Sequence, residues 1–131
     1  MPDFPIIDAH VHLWDPELLP LPWLQDHDSL NRAFLPADLD AARGDIDLEG
    51  FVYVETGVSV TEHWAEVEWV TELAAADPRL RGIVAAAPLE MGENVCRLLD
   101  RYAEVPLVKG IRRNLEGRGD DFCLQPAFIE G

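Results

Sequence analysis

The sequence predicts an α/β fold in which short parallel strands alternate with helices. Four apolar segments have the length of a strand, and most of them are rich in β-branched residues; they occupy residues 6–13, 51–56, 82–89 and 107–112. Buried parallel strands have this nearly continuous apolar character. The stretches between them carry apolar residues at helical spacing. Such alternation implies right-handed βαβ units that share one parallel sheet.

The predicted helices have recognisable starts and ends. Residues 36–43 begin with a proline and are followed by Gly44, a residue that suits a helix end. A longer helix is expected over residues 61–76, with Thr61 as its N-cap. A third helix is expected over about residues 93–103. The inward stripe of the longer helix is predicted to contain Trp64, Val67, Val70, Leu73 and Ala74.

The length of the chain suits one domain but not a closed barrel. Its 131 residues provide four strands, whereas an eight-stranded parallel barrel typically needs about 250 residues. The segment from Pro126 to Gly131 has the pattern of an opening helix. We therefore expect residues 1–131 to form a single domain that is part of a larger barrel. It is either a fragment of a longer protein or a unit that a second copy completes.

Charge and composition exclude several classes of partner. The chain has 25 acidic and 10 basic residues and a net charge of −15, which repels nucleic-acid phosphates and anionic lipids. It contains no apolar stretch near the roughly 20 residues that span a bilayer, and no signal peptide is visible. Cys96 and Cys123 lack CxxC spacing, so we expect free thiols in a reducing cytoplasm. These features favour a cytoplasmic protein that binds a small-molecule substrate.

Two histidines on the first strand are the main candidates for chemistry. Residues two apart on a strand share a face, so Asp8, His10 and His12 should lie together. Two imidazoles at this spacing can share a divalent ion at the carboxyl end of the strand, where barrel active sites lie. The alternative is a pair of core histidines that bond to the backbone. The opposite face should pack against helices through Ile7, Ala9, Val11 and Leu13.

The segment of residues 7–16, Ile-Asp-Ala-His-Val-His-Leu-Trp-Asp-Pro, resembles the opening strand and loop of the amidohydrolase superfamily. It is most similar to the branch that contains fuconolactonase, rhamnonolactonase and pyrone-dicarboxylate lactonase. The HxH pair alone is a weak signal, because many unrelated hydrolases carry it. The resemblance continues in order along the whole chain, at residues 21–24, 34–39, 52–55, 82–85 and 109–113.

The resemblance implies that the chain is the N-terminal (βα)4 half of a (β/α)8 TIM-type barrel. In such relatives the first-strand histidines bind a divalent metal or contact the substrate directly, and some members need no metal; for this chain the expected ion, where there is one, is zinc. A later strand brings another histidine, and the last strand brings an aspartate that activates water. Those strands would lie beyond Gly131, so we expect this chain alone to be inactive.

Two further residues are predicted at the mouth of the barrel. On the second strand, alternation groups Phe51, Tyr53 and Glu55, which places Glu55 at the carboxyl end. Glu55 either orients a ligand histidine or a substrate hydroxyl, or pairs with a neighbouring arginine. On the fourth strand, Arg112 suits a lactone carbonyl or a carboxylate, and an ion pair with Glu55 is its alternative. Family position favours Arg112 over Arg113.

Aromatic and histidine side chains outside the strands have weaker signals. Trp14 and Trp23 lie in the long first loop, where they either line a substrate pocket or pack that loop onto the barrel rim. His27 and His63 have acidic and polar neighbours, so we expect both at the surface.

Taken together, the sequence predicts a hydrolase that opens a lactone of a sugar acid or of an aromatic breakdown product by water attack. His10 and His12 would hold a metal or polarise the carbonyl, Arg112 would anchor a substrate oxygen, and Trp14 and Glu55 would contact the substrate. One alternative is a metal-dependent decarboxylase of the same superfamily. The other is a non-catalytic truncated half-barrel. Whichever of these functions applies, the unpaired strand edges of the four-stranded unit favour self-association.

Overall fold

The computed structural model describes residues 3–131 and contains one four-stranded parallel sheet. The strands are ordered as in the sequence: β1 (Ile6–Val11), β2 (Leu48–Val54), β3 (Leu80–Ala86) and β4 (Val108–Arg112). Between and after them lie the helices α1 (Pro36–Arg43), α2 (His63–Ala76), α3 (Cys96–Ala103) and α4 (Pro126–Glu130). The predicted alternation of strands and helices is confirmed.

The ends of the helices follow from local chemistry. α1 has Pro36 in its first turn and Gly44 after its last, where the φ angle of 57° suits glycine. α2 begins two residues after the expected N-cap, because Val60–Glu62 forms a 3-10 turn. The Thr61 hydroxyl donates to the Glu62 carboxylate instead of capping the helix. The prediction of Thr61 as N-cap was therefore wrong.

The core lies between the sheet and the helices. Phe51 and Tyr53 of β2 are fully buried in one cluster with Val67 and Val70 of α2, as the predicted helix stripe requires. Both rings therefore face the helix layer. Alternation predicts that they share a face with Glu55, and that prediction was wrong. The pairing of β2 with β3 shifts register at residue 51, and β2 ends at Val54, so strict alternation does not extend to Glu55.

β1 packs against the helices only in its second half. Val11 and Leu13 are buried in the core, as predicted. Ile7 is 51% exposed and Ala9 is also exposed, so the prediction that they pack against helices was wrong for this chain. The physical reason is position: β1 is an edge strand of the described sheet, with β2 as its neighbour there.

The long loop between β1 and α1 forms a second apolar cluster. Leu19, Leu21 and Leu24 are buried there against Val58, which follows β2. This packing holds the loop over the carboxyl ends of the strands. Trp69 of α2 packs against both clusters.

At the opposite end of the sheet, an ion network fastens two helices to β3. The Arg79 guanidinium donates to Asp40 of α1 at 2.7 Å and to Asp77 after α2 at 2.7 Å. These hydrogen bonds hold the pKa of both carboxyls below the usual range, with Arg43 adding to the effect on Asp40. The network lies away from the carboxyl ends of the strands, so its expected role is stability.

Two further sequence-based expectations can be compared with the structure. Within residues 3–131, no helix is long and apolar enough to cross a membrane. Cys96 and Cys123 are both free, as predicted from their spacing.

Candidate active site

A cavity of about 750 Å³ opens at the carboxyl ends of the strands. Each strand contributes to it with a residue at or just after its end: His12, Glu55, Ala86 and Arg112. The β1–α1 loop adds walls that include Trp14 and Trp23. The lining of the cavity is rich in polar and charged side chains beside the two tryptophans, and the cavity volume is in the range of small-molecule sites.

The two first-strand histidines approach each other closely. Their Nε2 atoms are 3.1 Å apart, which places both rings on one side of the strand as alternation predicted. The Nδ1 atom of His12 lies 2.9 Å from the carbonyl oxygen of Val54, an acceptor, so Nδ1 carries the proton. The lone pair of His12 is therefore on Nε2 and points toward His10. The Asp8 carboxylate accepts the backbone N–H of His10 at 2.9 Å and so fixes the strand there.

The histidine pair fits a divalent ion as two of its ligands. Two imidazole nitrogens bound tetrahedrally at roughly 2.0–2.1 Å from zinc would be about 3.3 Å apart, close to the observed separation. The hydrogen bond from His12 to a carbonyl is the kind of outer contact that orients a ligand histidine. Among residues 3–131, no group of three or more His, Cys, Asp or Glu side chains is arranged to hold a metal. Further ligands would have to come from water or from outside these residues.

Glu55 and Arg112 form an ion pair across the ends of the strands. The Nη1 atom of Arg112 lies 2.8 Å from Oε1 of Glu55, whose other oxygen accepts the Gly57 N–H at 2.8 Å. Glu55 is buried, with 3% of its surface exposed, whereas 34% of the Arg112 side chain is exposed. The structure thus contains the ion pair that was the alternative for both residues. All hydrogen bonds of the Arg112 guanidinium to described residues use Nη1, so Nε and Nη2 are left for a substrate oxygen.

The neighbouring arginine is engaged elsewhere. The guanidinium of Arg113 makes a two-point ion pair with Glu90, with one distance of 2.8 Å and a second, shorter contact from Nη2. Its side chain is mostly buried although it also lines the cavity. Arg112 is therefore better placed than Arg113 to donate to a substrate.

Trp14 and Trp23 both line the cavity and anchor the first loop. The indole N–H of Trp23 donates to the carbonyl oxygen of Thr56 at 2.7 Å, and that of Trp14 donates to Leu30 at 3.2 Å. The two rings meet edge to face, with centroids 5.7 Å apart. The two tryptophans therefore line the pocket and also pack the loop, which combines the two predicted alternatives. His27 lies exposed at the same cavity.

His63 is a cavity residue that the sequence reasoning missed. It is the first residue of α2 and only 4% exposed, so the prediction of a surface side chain was wrong. Its Nδ1 atom is buried without a hydrogen-bond partner among the described residues. Burial lowers the pKa of the imidazole, and the nearby Glu55 carboxylate opposes this shift. The available signal was its spacing of four and seven residues from Val67 and Val70, which places all three on the buried stripe of the helix.

Comparison with known proteins identifies the family. The sequence pattern of the amidohydrolase family matches residues 7–128. Uncharacterized protein y4mH from Sinorhizobium fredii is 30% identical over 129 residues, which cover 92% of this chain and 43% of that protein.

Solved structures agree in fold. Amidohydrolase 2 from Bifidobacterium longum subsp. infantis is 29% identical, with a TM-score of 0.69 over 95% of this chain and 45% of that one. An amidohydrolase from Burkholderia multivorans, solved with bound zinc, is 24% identical, with a TM-score of 0.70 over 93% of this chain and 42% of that one; at this identity the likeness concerns the fold.

The chain spans less than half the length of these relatives. Its four parallel strands and their helices match the corresponding part of the barrel in the solved structures, which confirms the predicted fold class. The family pattern covers nearly all of the described residues. The chain therefore belongs to the amidohydrolase family.

Proposed function

We propose that the complete protein hydrolyses a lactone, and that this chain supplies the residues that polarise the carbonyl and anchor the substrate. The observation that carries the proposal is the joint position of His12 and Arg112 on one cavity. His12 presents Nε2 beside His10, and Arg112 retains two guanidinium nitrogens after pairing with Glu55. Hydrolysis of a cyclic ester needs hydrogen-bond donors or positive charge where negative charge develops on oxygen, which Arg112 and a group held at the histidine pair would supply.

Arg112 would anchor an oxygen of the substrate. A guanidinium presents its donors in a planar fork, which matches a carboxylate or a pair of ester oxygens. The 2.8 Å contact with Glu55 fixes the direction of that fork before substrate binds. A donor held in place loses little freedom on binding, so more of the contact energy is available for orientation.

His10 and His12 would act on the carbonyl in one of two ways. They are the residues of this chain that would hold a divalent ion, and zinc is present in the Burkholderia multivorans relative. When bound, such an ion would supply Lewis-acid polarisation and a water of lowered pKa. Without a metal, the Nε2–H of His10 would itself donate to the carbonyl oxygen, because Nε2 of His12 carries a lone pair.

The attacking water needs a base, and the nearby carboxylates are already engaged. Both oxygens of Glu55 accept hydrogen bonds, from Arg112 and Gly57. Asp8 accepts the backbone N–H of His10. We therefore place the general base in a part of the complete protein outside these residues, as the superfamily resemblance implies.

The test is an assay of the complete protein on sugar-acid and aromatic-derived lactones, with acid release as the readout. Arg112→Lys should lower kcat/KM by about 10-fold or more, because a point charge replaces the two-donor fork. Arg97→Gln, on the exposed side of α3, is the matched control and should retain activity. Release of CO₂ from aromatic acids without lactone opening would instead identify a decarboxylase and overturn the proposal.

A further inference from the structure

A buried carboxylate behind the sheet contacts the turn that forms part of the cavity. Glu66 of α2 is 1% exposed, and its Oε1 atom accepts three hydrogen bonds. The donors are the Tyr53 hydroxyl at 2.8 Å, the Thr56 hydroxyl at 2.8 Å and the Thr56 backbone N–H at 2.9 Å. Two of the three bonds therefore end on Thr56, which lines the cavity.

Thr56 connects Glu66 to a wall of the cavity. Its carbonyl oxygen accepts the indole N–H of Trp23 at 2.7 Å, so the threonine joins the carboxylate of α2 to a cavity wall. The residues on either side of Thr56 are linked to each other, because the Gly57 N–H donates to Glu55 at 2.8 Å. Residues 55–57, here called the β2–α2 turn, are thus bonded both to α2 and to the first loop.

Burying the Glu66 carboxylate costs free energy, which is unusual for a residue that only fills space in the core. Burial raises the pKa of its carboxyl, although the hydrogen bonds from Thr56 and Tyr53 oppose the shift. Its Oε2 atom is buried without a partner among the described residues. An apolar side chain of similar volume would avoid the cost of burying the carboxylate, but it would leave the Tyr53 hydroxyl and the two Thr56 donors without their acceptor. An apolar side chain also cannot fix the orientation of the Thr56 hydroxyl and backbone N–H, as the Glu66 carboxylate does.

We propose that Glu66 is a positioning residue for the cavity: through Thr56 it sets the place of Trp23 and of the Glu55–Arg112 pair. This inference rests on the proposed function for its effect on turnover. Its effect on Trp23 can be measured without any substrate, so the two proposals can fail separately.

The experiment compares four variants of the complete protein. Glu66→Leu removes all three bonds, and Thr56→Val removes one of the two that reach the turn, in case the first variant does not fold. Tyr53→Phe is the matched control, because it deletes a hydroxyl at the same distance from the same oxygen, and its own contact with the turn is a long one of 3.5 Å to the Thr56 hydroxyl. Glu66→Gln tests for rescue, since its amide oxygen can still accept all three bonds.

The readouts are the ¹⁵N–¹H resonance of the Trp23 indole, assigned with Trp23→Phe, and kcat/KM on a lactone that is turned over. Glu66→Leu and Thr56→Val should shift the indole resonance, and Glu66→Leu should lower kcat/KM by about 10-fold, as loss of an outer supporting contact does. Tyr53→Phe and Glu66→Gln should leave both near wild type. An unchanged indole resonance in Thr56→Val, or an equal shift in Tyr53→Phe, would overturn the inference whether or not activity is found.

Discussion

Arg112 at the end of β4 reaches past β3 to Glu55 at the end of β2, with 2.8 Å between Nη1 and Oε1. The pair thus links the ends of β2 and β4 across the intervening strand β3. Because Glu55 is buried and Arg112 is partly exposed, the carboxylate fixes the arginine and the arginine faces the cavity.

The first prediction concerns the buried member of this pair. Glu55→Gln keeps the shape of the side chain but removes the charge that holds Arg112. Urea unfolding should show a loss of about 1.5–3 kcal/mol in the free energy of unfolding, the range for a hydrogen bond to a charged group. KM should rise, because the guanidinium is no longer fixed. Unchanged stability and unchanged KM together would mean that the pair has no role in either.

A second prediction follows from the burial of His63. Its pKa is lowered in the folded protein, so between that value and the ordinary 6.5 the unfolded chain binds more protons than the folded one. The free energy of unfolding should therefore fall as the pH decreases below about 6.5. His63→Gln should weaken this pH dependence. Chemical denaturation at several pH values checks it, and an identical pH dependence in the variant would contradict it.

The third prediction concerns the ion network around Arg79, which lies away from the cavity. Arg79→Met breaks its contacts with Asp40 and Asp77 at the end of the sheet opposite the cavity. The melting temperature should fall by a few degrees while kcat/KM of the folded enzyme is retained. A selective loss of turnover at unchanged melting temperature would contradict the assignment of this end to stability.

Self-association is expected of the 131-residue chain by itself. β1 and β4 are the edge strands of the described sheet, and Ile7, Leu124 and Ile129 expose apolar surface. Such edges and patches favour pairing with another copy. Sedimentation velocity should show dimers or larger species. A lactone hydrolysis assay of the same sample should show no activity. A stable monomer that unfolds cooperatively would contradict this expectation.

Much of the fold could be predicted because its signals are local. The apolar strand segments, Pro36 and Gly44 at the ends of α1, and the spacing of Val67 and Val70 all act over a few residues. The approach of His10 to His12 followed from the same local alternation and is confirmed, whereas their chemical role stays a prediction.

The errors occurred where the outcome depends on distant partners. The side chain of Tyr53 faces α2 because Glu66 accepts its hydroxyl, a partner that strand alternation does not contain. His63 is buried because α2 docks beside the β2–α2 turn, although its immediate sequence is polar. The pairing of Glu55 with Arg112 depends on how three strands align, so the sequence left it as one of two alternatives.

The measurement that tests the central claim most directly is kcat/KM of His12→Ala in the complete protein, on a lactone that the wild type hydrolyses. If the histidine pair polarises the carbonyl, kcat/KM should fall by a factor on the order of 10² or more, as loss of one electrostatic donor does. The free energy of unfolding should change much less than for a core substitution, because His12 is exposed and its described side-chain partners are His10 and the Val54 carbonyl. Retained kcat/KM in His12→Ala, with a stability loss of a few kcal/mol, would show a structural histidine and contradict the account.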